Sequence, residues 1–274
     1  MADLVLQPSE FALDATIDPT RRVRRVLILI HGIRDVPKWT VYFRQVLADQ
    51  GYDCDVAPVE YRRYSSVPFI LGAGLTIRKA DVLAQVLAIC SRNKEAIFDV
   101  FCHSNGTKIF SEIVRESGVP EFETVIFAGS ICQRSRTDAI ASKVRPARFW
   151  NLCGKRDWWP ILAEAIRPDL FQQTGAAGFL EQRVFDRYYN FGHSGALKRE
   201  FIRHVVVPML LFGENEGHEG APRDSFLRDP ANCRKVLALL LALSFFSLRW
   251  VSWWLAILAC LYGAYLFYSW HDQT

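Results

Sequence analysis

Short apolar runs alternate with amphipathic segments over residues 24–211, and this alternation restricts the chain to a small set of folds. The runs predicted as strands buried on both faces are residues 26–30, 53–59, 96–101, 124–128 and 148–152. The segments with helical spacing are residues 39–49, 80–91 and 105–117. The alternation predicts an α/β fold, a mostly parallel sheet flanked by helices. Ligands bind such sheets beyond the carboxyl ends of the strands, so the residues that follow each strand are the candidate site residues.

The turn between the third predicted strand and its helix reads Cys102-His103-Ser104-Asn105-Gly106. A strand followed by x-Ser-x-Gly and a helix is typical of the turn that holds a nucleophilic serine in an exposed, strained position. Gly106 allows the helix to pack closely on the neighbouring strand. The unpaired N–H groups at the start of the helix favour negative charge on a substrate beside Ser104. Ser104 is therefore a candidate nucleophile.

An aspartate follows the fifth predicted strand, in the sequence FWNLCGKRDWW. Asp157 closes a G-x-x-D turn that begins at Gly154, just past the carboxyl end of that strand. Asp157 is therefore a candidate acidic site residue at this strand end. The alternative is a plain turn aspartate, paired with Lys155 or Arg156.

A histidine lies in a glycine-flanked loop, in the sequence YYNFGHSGAL. His193 precedes a helix that we expect to begin near Ala196, and a loop histidine in this position is a candidate general base. The alternative is a loop histidine that faces solvent. His204, within a helical run, and His218, in a Gly-rich and acidic segment, are weaker candidates.

The chain order Ser104, Asp157, His193 is that of the catalytic triad in α/β-hydrolases, and residues 24–211 resemble this superfamily, in particular its lipases and esterases. The runs HGIRD, CGKRDWWP and FGHS also resemble uncharacterised bacterial members. The resemblance implies a minimal α/β-hydrolase fold that begins at the family's third strand, as in cutinases. It implies a Ser-His-Asp triad with no cofactor and no metal. The family's pattern is G-x-S-x-G, so Cys102 replaces its first glycine.

The sequence LILIHGIRD places a His-Gly pair at the carboxyl end of the first predicted strand. His31 and Gly32 resemble the oxyanion loop of lipases and esterases. The resemblance implies an oxyanion hole made by the backbone N–H groups of Ile33 and Asn105, with His31 bracing the loop. The alternative is a glycine turn beside a surface histidine.

The C-terminal part of the chain has a different character, since residues 236–270 contain a single charge, Arg249. One helix of this length would span about 50 Å, more than the ~30 Å hydrocarbon core of a bilayer. We expect either a hairpin of two short spans that turns at residues 247–252, or one span over residues 250–270 after an interfacial helix. A hairpin buried against the globular domain or a partner protein is the alternative. Arg234 and Lys235 favour a cytoplasmic globular domain.

These features divide the chain into an N-terminal extension (1–22), an α/β-hydrolase domain (23–212), a linker (213–235) and a membrane segment (236–270). The first residues lack the basic start and apolar run of an export signal.

The cysteines are scattered without a C-x-x-C pair, which fits a reducing compartment and argues against a zinc site. The net charge is +4 and the one basic cluster, residues 21–25, is interpreted as a solvated flank, so we expect no nucleic-acid partner.

The implied substrate is a lipid or other acyl ester held at a membrane. Residues 61–75 are largely apolar and could form a lid or an acyl pocket, and Trp158 and Trp159 could line a pocket or the bilayer surface. Ordinary core and loop packing is the alternative for both. An acyl-protein thioesterase or peptidase could use the same triad, and a degenerate hydrolase could act as a membrane-bound scaffold. The residues specify neither one substrate nor an oligomeric state.

Overall fold

The computed structural model describes residues 24–32, 38–61, 75–213, 229, 231–238 and 260–264. Within these residues the strands are β1 Arg25–Ile30, β2 Cys54–Val59, β3 Ile97–His103, β4 Thr124–Ala128, β5 Phe149–Gly154 and β6 Phe185–Tyr189. They form one sheet in the order β2-β1-β3-β4-β5-β6, and each neighbouring pair is parallel. The predicted parallel α/β fold is confirmed.

Helices connect successive strands, as a parallel sheet requires. They are α1 Lys38–Asp49, α2 Leu75–Arg92, α3 Asn105–Ile113, α4 Thr137–Ala141, α5 Trp159–Ile166 and α6 Thr174–Ala177. A last helix, α7, consists of Arg199–Phe201, a π-helical turn Ile202–Val206 and Val207–Phe212. Helix α3 ends at Ile113, earlier than the predicted residue 117, and a left-handed residue, Gly118, follows it.

The central strands are continuous apolar runs because both of their faces are covered. In β1, Val26, Ile28 and Ile30 point into one core with α2 and α3. Leu27 and Leu29 point into a second core with α1 and α7. The sheet therefore separates two hydrophobic layers, and it is held from both sides.

The prediction that residues 53–59 are buried on both faces is wrong. Strand β2 lies at one edge of the sheet, and only Val59 in it is fully buried. An edge strand has a neighbour on one side only, so Pro58 is tolerated there and part of the strand faces solvent. The sixth strand, β6, forms the opposite edge and was not predicted.

The basic cluster before β1 is not uniformly a solvated flank. Arg24 is exposed and pairs with exposed Asp55 at 2.6 Å. Arg25 instead reaches the buried carboxylate of Asp99 on β3, with an Nη2–Oδ2 distance of 2.7 Å and an Nε–Oδ2 distance of 3.1 Å. The two strands are thus joined by a buried, bidentate ion pair at the amino end of the sheet.

The predicted membrane segment lies largely outside the described residues, and the domain boundaries stay a prediction. Residues 231–238 and 260–264 are helical. Among the helices in the described ranges, none combines the length and apolarity that a bilayer crossing needs. Arg234, in the first of these helical pieces, donates from Nε to the backbone oxygen of Ala165 on α5 at 3.0 Å.

Candidate active site

The sheet order reverses between β1 and β3, because β2 lies on one side of β1 while all later strands extend on the other. The connections from these two strands therefore leave toward opposite faces and open a crevice at their carboxyl ends. His31 follows β1 and Ser104 follows β3, so both lie at this switch point.

Ser104 occupies a strained turn between β3 and α3. Its backbone has φ 53° and ψ −121°, a conformation that residues with a side chain rarely adopt. The turn is held because the Ser104 N–H donates to the oxygen of Ala128 at 2.9 Å and Thr107 N–H donates to the oxygen of Ser104 at 3.0 Å. Such strain persists only where the surroundings impose it, and here it projects the hydroxyl above the sheet.

Two small residues accommodate the turn. A Cβ on Gly106 would overlap the backbone oxygens of Ile30 and His31, so only glycine lets α3 start this close to the end of β1. This is the close packing expected from the sequence. Cys102, two residues before Ser104, is completely buried, and burial raises the pKa of its thiol well above the ordinary value. The thiol therefore stays protonated and acts as a small core side chain.

The structure brings Ser104, His193 and Asp157 together. The Ser104 Oγ lies 2.9 Å from His193 Nε2, and His193 Nδ1 lies 2.9 Å from Asp157 Oδ2 and 3.1 Å from Oδ1. The Asp157 side chain is fully buried, and that of His193 is 19% exposed. A neutral imidazole with its proton on Nδ1 donates to the carboxylate and accepts from the serine hydroxyl. This is the protonation pattern that lets a histidine remove the serine proton.

The acid and the histidine are connected through the backbone of neighbouring loops. Lys155 N–H donates to the oxygen of Tyr189 at 2.9 Å, and Arg156 N–H donates to the oxygen of Phe191 at 3.1 Å. These bonds continue the β5–β6 ladder past the strand ends, so the loop that carries Asp157 and the loop that carries His193 are joined through their backbones. Asp157 is not the plain ion-paired turn aspartate of the alternative interpretation, because its carboxylate accepts from His193 and from the backbone N–H of Trp159 at 3.1 Å.

Two residues that sequence reasoning missed support the histidine. Gly129 follows β4 with φ +56°, and a Cβ there would lie 3.0 Å from the His193 ring and 3.2 Å from Asp157 Oδ2. His103 is buried, and its Nε2–H donates to the backbone oxygen of His193 at 2.9 Å. His103 was visible in the serine turn itself, whereas the role of Gly129 depends on a contact between distant segments.

His31, which follows β1, is held by contacts with Tyr61, which follows β2. The ring of His31 stacks on Tyr61 with centroids 4.2 Å apart, and its Nδ1 lies 2.6 Å from the oxygen of Gly32. The Tyr61 hydroxyl donates to the backbone oxygen of His31 and lies 3.5 Å from Asn105 Nδ2. His31 is buried, which contradicts the alternative of a surface histidine. Ile33, the other predicted oxyanion donor, lies outside the described residues.

Chemically, the arrangement offers a serine hydroxyl, a base within reach of its proton and an acid that fixes the base. Asn105, the first residue of α3, adds a helix start beside the hydroxyl, where N–H groups lack intrahelical partners. Within the described residues, His, Cys, Asp and Glu side chains form no group of three or more that could hold a metal ion.

No family model and no curated protein matches the chain. Among solved structures, it is similar to an uncharacterized protein from Bacillus cereus ATCC 10987, with 12% identity, 72% of this chain and 62% of that chain covered, and a TM-score of 0.46. A predicted CIB-like hydrolase from Thermoplasma acidophilum has 14% identity, coverage of 71% and 88%, and a TM-score of 0.43. A dienelactone hydrolase from Anabaena variabilis ATCC 29413 has 12% identity, coverage of 67% and 87%, and a TM-score of 0.37. The matched region thus spans less than two thirds of the Bacillus cereus protein.

Proposed function

We propose that this protein is a serine hydrolase of the α/β-hydrolase type that cleaves a lipid ester, with Ser104 as nucleophile, His193 as base and Asp157 as the orienting acid. One observation carries the proposal, the unbroken hydrogen-bonded chain from Ser104 Oγ through both nitrogens of His193 to Asp157. The strained serine turn and its position at the switch point of the sheet support the same chemistry.

In the first step, Ser104 Oγ attacks the acyl carbonyl while His193 Nε2 takes the hydroxyl proton. The resulting imidazolium is stabilised by Asp157, and it returns the proton to the alcohol that leaves. An acyl group is then bonded to Ser104. Water attacks this ester and gives a proton to His193. The acyl–Oγ bond then breaks, the fatty acid leaves, and the imidazolium returns the proton to Ser104 Oγ.

The negative charge on the carbonyl oxygen needs donors near the serine turn. We assign these to the backbone N–H groups of Asn105 and Ile33, with His31, Gly32 and Tyr61 bracing the segment that leads to Ile33. Each such donor contributes about 3 kcal/mol to transition-state stabilisation in enzymes of this kind. The scheme requires neither a metal nor an organic cofactor.

A lipid ester is the proposed substrate because the chain carries the apolar run of residues 236–270. A membrane segment there would hold the domain at the cytoplasmic surface, where substrate is confined to two dimensions. An acyl-protein thioesterase would use the same triad. Release of free fatty acid from phospholipid vesicles, compared with release from acylated peptides, distinguishes the two; faster cleavage of the peptides contradicts the lipid assignment.

The nucleophile is tested with a fluorophosphonate probe, which reacts with activated serines. We expect wild-type protein to be labelled and Ser104→Ala to be unlabelled. Ser111→Ala is the matched control, since Ser111 is also buried on α3 but donates to the oxygen of Lys108 and has no contact with His193. Labelling that persists in Ser104→Ala, or is absent from the wild type, overturns the proposal.

A further inference from the structure

Helix α5 leaves an apolar stripe uncovered. Trp159 and Ile166, at its two ends, are 38% and 39% exposed, and Leu162 and Ala163 between them are partly exposed. These positions are spaced i, i+3, i+4 and i+7, so they share one side of the helix. The opposite side is the buried one, with Pro160, Ile161 and Ala165. We call Trp159, Leu162, Ala163 and Ile166 the α5 face.

The α5 face begins at the candidate active site. The backbone N–H of Trp159 donates to Asp157, and its ring lies 6.4 Å from the ring of His193. The helix is therefore fixed to the acid at its first turn. Whatever covers the α5 face also adjoins the entrance to the serine.

The other end of the α5 face meets the C-terminal part of the chain. Arg234 bonds to the backbone oxygen of Ala165, one residue before Ile166. The helical piece 231–238 leads into the apolar run that starts at residue 236. The apolar run of residues 236–270 thus starts beside α5, a helix that exposes an apolar stripe.

Basic side chains flank the α5 face. Lys155 and Arg156 precede it, Arg167 follows it, and Arg234 and Lys235 join at its far end. Arg167 pairs with Asp169 at 2.7 Å, so these two charges offset each other, and Glu164 accepts from the backbone N–H of Gln173 at 2.8 Å; the positive charge at the ends of the α5 face therefore comes from the other four basic residues. An apolar strip with cationic ends matches the acyl boundary and the headgroups of an anionic leaflet.

We propose that the α5 face is the surface by which this domain lies on an anionic phospholipid bilayer. A bilayer fits better than a protein partner because the adjoining run of residues 236–270 has the composition of a membrane segment. In this orientation the serine opens at the lipid–water boundary and an acyl chain enters past Trp159. The inference of lipid contact depends only on the α5 face, whereas the inference that the α5 face delivers substrate rests on the proposed function.

Contact is tested without catalysis, by photo-crosslinking of the full chain in the Ser104→Ala background. Benzoylphenylalanine replaces Ile166 or, as control, Val41, which is 46% exposed on α1. Each protein is reconstituted into vesicles of phosphatidylcholine and phosphatidylglycerol. We expect crosslinks to phospholipid at position 166 and few at position 41. Equal labelling at both positions, or none at position 166, overturns the proposed contact.

Substrate delivery is tested by comparing two esters, a long-chain ester embedded in the same vesicles and a short, water-soluble ester. The double variant Leu162→Glu, Ile166→Glu should cleave the embedded ester about tenfold more slowly than the wild type, since charged side chains replace aliphatic ones that would lie in the acyl boundary. Cleavage of the soluble ester should be unchanged, as it should be for Val41→Glu with both esters. Equal loss on both esters, or loss on neither, overturns delivery by the α5 face. Crosslinking to phospholipid at position 166 combined with a wild type that cleaves neither ester overturns the proposed function and leaves the lipid contact supported.

Discussion

Two buried aspartates, Asp99 and Asp157, lie toward opposite ends of the sheet, and their partners differ in kind. Asp99, on β3, accepts hydrogen bonds from two nitrogens, Nε and Nη2, of the guanidinium of Arg25, a permanent cation. Asp157, past β5, receives its bonds from His193 and from a backbone N–H. One carboxylate is neutralised at all times, while the other faces a ring that gains charge only when it takes a proton.

This difference separates a structural ion pair, Arg25–Asp99, from the His193–Asp157 pair that we propose acts in catalysis. Burial raises the pKa of Asp99, and its charge-assisted bonds with Arg25 act in the opposite direction. The pair joins β1 to β3 and has no mobile proton to transfer. At the carboxyl end, the same two strands lead to His31 and Ser104, where a proton can move between Oγ and Nε2. The same residue type thus serves the fold at one end and the proposed chemistry at the other.

The largest effect is expected from Asp157→Asn, which should lower kcat by about 10⁴-fold. The amide donates to Nδ1, so the imidazole proton moves to Nε2. This nitrogen can then no longer accept from Ser104. The free energy of unfolding should change by less than about 1 kcal/mol, because hydrogen bonding at the site is kept. Ester hydrolysis under saturating substrate and chemical denaturation measure the two quantities. A variant with near-normal kcat would show that Asp157 does not orient the base.

The same substitution at the other aspartate, Asp99→Asn, should have the reverse outcome. It removes the counter-charge of half-buried Arg25 and should lower the free energy of unfolding by about 3 kcal/mol. The kcat per folded molecule should stay at the wild-type value. Asp55→Asn is the control, because the exposed Arg24–Asp55 pair contributes at most about 1 kcal/mol. Equal destabilisation by both variants would contradict the structural role given to the Arg25–Asp99 pair.

The smallest effect concerns strain in the serine turn. Ser104→Gly should be more stable than Ser104→Ala by about 1 kcal/mol, because glycine adopts φ 53° without steric conflict. Neither variant should hydrolyse ester. At Ser111, inside α3, the order should reverse and alanine should be the more stable. Denaturation of the four variants measures both differences, and the same order at both positions would argue against strain at Ser104.

The central strands could be predicted from the sequence because burial on both faces leaves continuous apolar runs. The observed bounds of β1 and β4, Arg25–Ile30 and Thr124–Ala128, differ from the predicted ones by at most one residue. The serine turn was recognisable because strand, small residues and helix adjoin in the sequence.

The edge strands were harder to predict from the sequence, because an edge strand lacks the continuous apolar run on which the strand predictions depended. In β6, polar Asp186 and Arg187 interrupt the run, and only Tyr188 and Tyr189 are fully buried. Without β6, the backbone bonds between the acid loop and the histidine loop could not be foreseen. The contact between Gly129 and His193 could not be predicted either, because the two residues are 64 positions apart in the sequence.

The placement of β6 has a consequence for heat inactivation. It pairs only with β5 among the described strands, and the loop that carries His193 continues from it. Edge strands open at a lower free energy than central strands, so we expect β6 to fray before β1, β3 and β4 unfold. We therefore expect the proposed hydrolysis to stop at a temperature below that at which the molecule as a whole denatures.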